Sequence, residues 1–198
     1  MILFIENLSL KANVMSKGWK TYWVLVAAMV TNYLIMLLWS LPLVSETAGG
    51  GVPFDMRPGG YSFDDARVFL TAISDAGRDF YLNTQQLLDV FYPTLFAITV
   101  AIALVHLMPR YWGWTLAALA IAAGVFDHLE NSAVAVMLRV EADALTESMV
   151  LTANNWSLAK SISTTIVLVA LLVVLCIKVI TWLKTRLAYR PQSANSTD

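Results

Sequence analysis

The chain has 198 residues, of which 58% are hydrophobic and 14% charged, with 13 Lys+Arg against 14 Asp+Glu and a formal net charge of −1. Its mean hydropathy is +0.65. Soluble domains carry about 25% charged residues, so this composition excludes an ordinary soluble domain, a fibrous repeat and a disordered chain. Without a basic excess there is nothing to neutralise phosphates, which excludes a nucleic-acid partner. The single cysteine, Cys176, excludes an internal disulfide and a zinc–thiolate site.

Residues 1–20 form a basic lead with Lys11, Lys17 and Lys20, and Met15-Ser16-Lys17 also reads as a start just ahead of an apolar run. A first membrane span is expected over 21–43, interrupted midway by Thr31, Asn32 and Tyr33. It exceeds the apolar stretch of about 7–15 residues in a signal peptide. A cut after Ala48 would also put Glu46 where a small residue is needed, so the span is read as retained.

The long segment 44–86 holds three arginines against six acids. Gly49-Gly50-Gly51 reads as a flexible link and Arg57-Pro58-Gly59-Gly60 as a turn. Ser62 followed by Asp65 has the spacing of a capping box. The spacing of Phe63, Val68, Phe69, Leu70, Ile73 and Ala76 predicts an amphipathic helix over 63–76, with a bend at Gly77.

Three further spans of roughly 20 apolar residues follow, over 87–108, 112–138 and 161–183. The last contains the unbroken aliphatic stretch 167–175, which is expected to face lipid. The tail 184–198 is polar and is expected to be disordered from Gln192. The fold class is therefore an all-α integral membrane protein. Its membrane domain, 21–183, has four transmembrane helices, with an external amphipathic helix between the first and second.

Lys and Arg concentrate in the N-terminal segment, at Arg110 in the tight 2–3 turn and in the tail, whereas the two larger loops are acidic. By the positive-inside rule both termini are cytoplasmic, in a cell (inner) membrane. Trp19, Trp23, Trp39, Tyr111, Trp112, Trp114 and Trp182 lie near the span ends, where amphipathic rings favour the headgroup level.

One polar constellation needs a reason to exist. Asp127, Glu130 and Asn131 stand at i, i+3 and i+4, which puts them on one helix face. Ala120, Gly124 and Ala135 continue that stripe, and small residues at this spacing let helices approach closely. An acid at a span centre costs about 2.5–3.5 kcal/mol, against a gain of only about 0.3–0.6 from each good apolar residue. Ionisable groups held there are functional candidates.

On the second span, Arg78, Tyr81, Gln85, Asp89, Tyr92 and Phe96 recur as a facing stripe. Pro93 has no N–H for the carbonyl of residue i−4, which is Asp89, so that carbonyl is freed beside a carboxylate. Asp89 is expected within roughly 5 Å of the external end of its span, with Arg78 near the rim. His106 and His128 lie at different depths, which argues against a shared haem or metal; they read as packing residues. Cys176 reads as an inert small hydrophobe.

The expected role is binding or transport. Asp127, Glu130 and Asn131, with Asp89, Tyr92 and Arg78, would hold a cation, proton or amine-bearing ligand reached from outside. One alternative is an intramembrane acid/base enzyme acting on a lipid or isoprenoid. The other is a structural subunit of a membrane complex. The expected partners are the lipid bilayer and a second copy or a complex partner. No metal ligand set or cofactor is read from the residues. The acids could also simply fix packing by bonding to Asn32, Tyr33 or Ser163.

Overall fold

The computed structural model describes the backbone of residues 2–188 and the side chains of residues 18–187. The described chain is helical, with no strand. Its helices are α1 (Ile2–Ile35), α2 (Leu41–Thr47), α3 (Phe63–Ala72), α4 (Asp75–Phe80), α5 (Gln86–Leu107), α6 (Arg110–Leu138) and α7 (Glu147–Ala188). The tail expected to be disordered from Gln192 lies outside the described residues.

The four expected spans fall on four helical stretches long and apolar enough to cross a membrane: Gly18–Thr47, Asp75–Leu107, Arg110–Leu138 and Glu147–Leu187. Two of these stretches are joined from shorter helices through a wide π-type turn. Met36–Ser40 links α1 to α2, and Tyr81–Gln85 links α4 to α5. Pro42 gives the first a cause, because its ring and missing N–H disrupt the bond to residue i−4, Leu38. The two turns meet where the Ser40 hydroxyl donates to the Gln85 side-chain oxygen.

Helix boundaries differ from expectation in three places. The second stretch starts at Asp75 rather than near 87. The bend falls at Ile73–Ser74, where the Ser74 side chain accepts from the Gly77 N–H at 3.1 Å. Gly77 is instead buried inside α4, where any Cβ would collide with Thr47. The expected 139–160 loop is helical from Glu147, because Asn154, Ser157 and Lys160 sit along α7 and contribute inward contacts rather than forming a loop.

α3 forms with both halves of its capping box, Ser62 accepting from the Asp65 N–H and Asp65 from the Ser62 N–H. It ends earlier than expected and buries a rotated face. Ala66, Phe69, Leu70 and Ile73 are buried, whereas Val68 is exposed. This face joins Val44, Phe54, Tyr81, Met137, Leu138 and Val150 in a core at one end of the helices. The Arg78 guanidinium ties this cap together by donating to the carbonyls of Leu138, Val140 and Leu70 at 3.0, 2.7 and 2.9 Å. The first of these is an end carbonyl of α6, where a cation also complements the helix dipole.

A second core, of Phe96, Val100, Leu104, Ala120 and Val167, lies along the long helices. α6 packs against both α5 and α7, and α1 packs against α5. The close α5–α6 approach depends on Gly124, where a Cβ would stand 2.9 Å from that of Ala97 and 3.0 Å from the Pro93 carbonyl oxygen.

Candidate functional site

Below the cap is a cavity of about 360 Å³. α5 contributes Asp89, Tyr92 and Phe96, and α6 contributes Ala123, Gly124, Asp127 and Glu130. α7 contributes Lys160, Ser161, Thr164, Thr165 and Leu168. Tyr33 and Met36 close one side, and Asp55, Arg57 and Pro58 from the cap segment roof it. The small residues Ala123 and Gly124 leave the room between the acids and the aromatics.

Lys160 stands between the two acids of α6. Its Nζ is 3.2 Å from Asp127 Oδ1 and forms a second, closer ion pair with Glu130 Oε2. Glu130 also accepts from the Ser157 hydroxyl on α7. Among the described residues, Asp127 and Glu130 thus have their polar partners on α7. Two of the packing partners considered from sequence make other contacts. Asn32 donates to the Leu88 carbonyl at 2.9 Å, and Tyr33 packs on Tyr92 with ring centroids 5.4 Å apart.

Asn131 does not reach the cavity wall. Its Nδ2 donates to the Asp89 carbonyl at 3.1 Å, the carbonyl that Pro93 leaves without a helical N–H. Arg78 is not at the acids either, being consumed by the three cap carbonyls. Of the six residues singled out from sequence, Asp89, Tyr92, Asp127 and Glu130 therefore line one cavity, Asn131 orients Asp89 and Arg78 holds the cap.

The Asp89 carboxylate is the unusual member. The residue is 4% exposed and faces the cavity. Among the described residues its side chain has no ion pair or hydrogen bond. Asp127 (6%) and Glu130 (1%) are similarly buried but share Lys160. Four carboxyl groups and two cations line the cavity, a formal excess of two negative charges. An ion taken from water without a partner costs several kcal/mol, so this site favours a proton or a positively charged group beside Asp89.

In the roof, Tyr81 donates its hydroxyl to Asp55 at 2.9 Å. Arg57 donates to the Val52 carbonyl and lies 5.7–5.9 Å from the ring centroids of Phe54, Tyr61 and Phe69. The Tyr61 N–H donates to Asn154 at 2.8 Å, which ties the roof to α7. Burial pushes the Tyr61 hydroxyl well above its usual range, so it stays protonated.

Sequence reasoning did not place Lys160, Ser157, Asp55 or Arg57 at the site, and read Tyr33 only as a packing partner of the acids. A signal for the first two existed. Asn154, Ser157, Lys160, Ser161 and Thr164 recur at three and four residues, one polar face of a helix. His128 Nε2 is 3.0 Å from the Thr94 hydroxyl, and the exposed His106 donates Nδ1–H to the Ile102 carbonyl of its own helix at 2.8 Å. Comparison with protein-family models, curated proteins and solved structures found no match to this chain.

Proposed function

We propose that this is a multi-pass protein of the cell membrane that binds a small cationic ligand, an amine or a monovalent cation, in the acidic cavity. The cap would lie on the external side and both termini in the cytoplasm. Four helices of spanning length and apolarity support the membrane assignment. The Lys/Arg-rich ends and the acidic 44–86 segment support the orientation.

One observation carries the binding role: the Asp89 carboxylate is buried at a cavity wall and, among the described residues, makes no ion pair or hydrogen bond. The neighbouring pair of acids supports the choice of ligand sign, because Lys160 balances only one of them. The tyrosine pair Tyr33 and Tyr92 adds π faces to which an ammonium is attracted by about 0.5–2 kcal/mol. The cavity volume of about 360 Å³ is in the usual range for a small-molecule site.

The test is thermal unfolding of the purified protein in nanodiscs with butylamine, tetramethylammonium, sodium, potassium and a neutral control, butanol. A ligand that binds only the folded state raises the midpoint with concentration. Stabilisation by a cation and not by butanol, lost in Asp89→Asn, is the expected result. Equal response to butanol, or none to any cation, rejects the reading. The acid/base enzyme alternative predicts instead that a lipid substrate is consumed.

A further inference from the structure

The acidic cavity ends at an aromatic wall. Its floor on α5 stops at Phe96, and its wall on α7 stops at Leu168. One helical turn further along α7, at Leu171, a second hollow of about 1220 Å³ begins. It is built from α1, α5 and α7, without α6: Tyr22 and Leu25 of α1, Ile102 and Ala103 of α5, Leu171 and Leu175 of α7. α1 and α7 both pack toward α5 but scarcely touch each other. The two hollows share no lining residue and are separated by the packing of Phe96, Val100, Met29 and Leu171, but both lie along the furrow where α1 and α7 flank α5.

Met29, whose sulfur is 3.1 Å from the Thr99 hydroxyl, packs against the same core of Phe96, Val100 and Val167 as Leu171 does, beside this junction. An unbranched thioether is the side chain best able to move aside. The polar end is roofed by Asp55, Arg57 and Pro58, whereas Tyr33, Thr165 and Leu168 on the two flanks are exposed. The cavity is therefore open along the flank that the four-span reading turns to lipid, besides the exposed Pro58 in its roof.

We infer that the ligand is an amphiphile, a long-chain primary amine, whose ammonium sits beside Asp89 and whose single alkyl chain lies in the furrow between α1 and α7. This rests on the cationic-ligand reading above and adds the tail and the route. The charge excess selects the head. The wall is mainly apolar, with Leu25, Ile102, Ala103, Leu171 and Leu175 against the polar members Thr21, Tyr22 and His106, and suits an apolar tail. From Asp89 to Ala103 the furrow runs about 21 Å at the rise per residue of a helix, which calls for a long chain rather than a short one. Lateral entry follows, because such an amine already resides in the bilayer with its head at the headgroup level.

The experiment is photolabelling of the full chain in phosphatidylcholine nanodiscs with hexadecylamine bearing a diazirine at its terminal carbon, with and without excess butylamine. Adducts are expected around Tyr22, Leu25, Ile102, Leu171 and Leu175, to fall by about tenfold with butylamine, and to be lost in Asp89→Asn. In Met29→Trp, which fills the junction, hexadecylamine should weaken by about tenfold while butylamine changes less than about twofold. Furrow adducts that butylamine does not displace would mean the chain sits there as ordinary lipid, and overturn the inference. Stabilisation by butylamine with adducts scattered over exposed α7 positions such as Val169, Val173 and Ile180 would overturn it too, and leave the acidic site standing. No response to butylamine at all would remove the cationic site itself.

Discussion

The side-chain amide of Asn131 on α6 donates to the main-chain carbonyl of Asp89 on α5, at 3.1 Å. That carbonyl is available because Pro93, four residues on, has no N–H to give it. A break in one helix is thereby satisfied by a polar residue on the next, and the satisfied carbonyl belongs to the residue whose carboxylate faces the cavity. Removing the amide by Asn131→Ala should cost about 1–3 kcal/mol, the penalty for a buried polar group left unpaired. In a Pro93→Ala background the helix supplies its own N–H, and the same change should cost less. A double-mutant cycle of unfolding in mixed micelles measures the difference. Additive effects would mean that the two residues do not act on one carbonyl.

Lys160 carries the second prediction. It is the only cation on Asp127 and Glu130 among the described residues, and its side chain is 17% exposed. Lys160→Met leaves two buried acids uncompensated and should destabilise by about 3 kcal/mol, toward the low end for a buried pair because of that exposure. Adding Asp127→Asn and Glu130→Gln should restore most of the stability, since replacing a whole buried ionic group is often neutral. A triple variant as unstable as Lys160→Met alone would show that the lysine matters through its packing rather than its charge.

The start of α3 should respond to acid. Hydrogen bonds from the Ser62 side chain, then from its backbone N–H, hold the Asp65 carboxyl below the usual carboxylate range. A depressed folded pKa stabilises the cap above the unfolded pKa and stops doing so as pH falls through the folded value. Amide exchange corrected for intrinsic rates should therefore show α3 protection falling below about pH 4, the unperturbed Asp value. Ser62→Ala should show reduced protection already at neutral pH. Protection that is flat with pH in wild type would remove the box from the account.

Orientation gives a fourth expectation. A reporter active only outside the cytoplasm should signal when inserted near Gly50 and stay silent when fused after Gln192. A strong signal from the C-terminal fusion would invert or break the four-span topology.

Architecture was readable because its determinants are local. Runs of apolar residues placed all four long helices, and Ser62 with Asp65 marked the start of α3. Pro93 identified the Asp89 carbonyl as free, although its acceptor role was visible only once Asn131 faced it. Three of the inward acids were legible because a carboxylate in an apolar run is conspicuous. Lys160 was not, since a lysine beside Asn154 and Ser157 lowers hydropathy enough to resemble a loop. Its value comes from two acids about 30 residues away in sequence, which only the α6–α7 packing brings to it. Arg78 failed to join the acids for a similar reason. Three backbone carbonyls of the cap reach its guanidinium, and backbone acceptors leave no trace in composition. Asp55 and Arg57 enter the site only because the cap folds over the helices.

The proposed site requires a cationic group in the space beside the Asp89 carboxylate. Solid-state NMR on the ¹³C-labelled protein in liposomes with ¹⁵N-butylammonium reads that contact directly. The account predicts dipolar transfer from the ammonium nitrogen to the Asp89 carboxyl carbon, saturating with amine concentration and absent in Asp89→Asn. Saturable binding with the nitrogen in contact with other carboxyl carbons but not with Asp89, or transfer unchanged by the substitution, would contradict it.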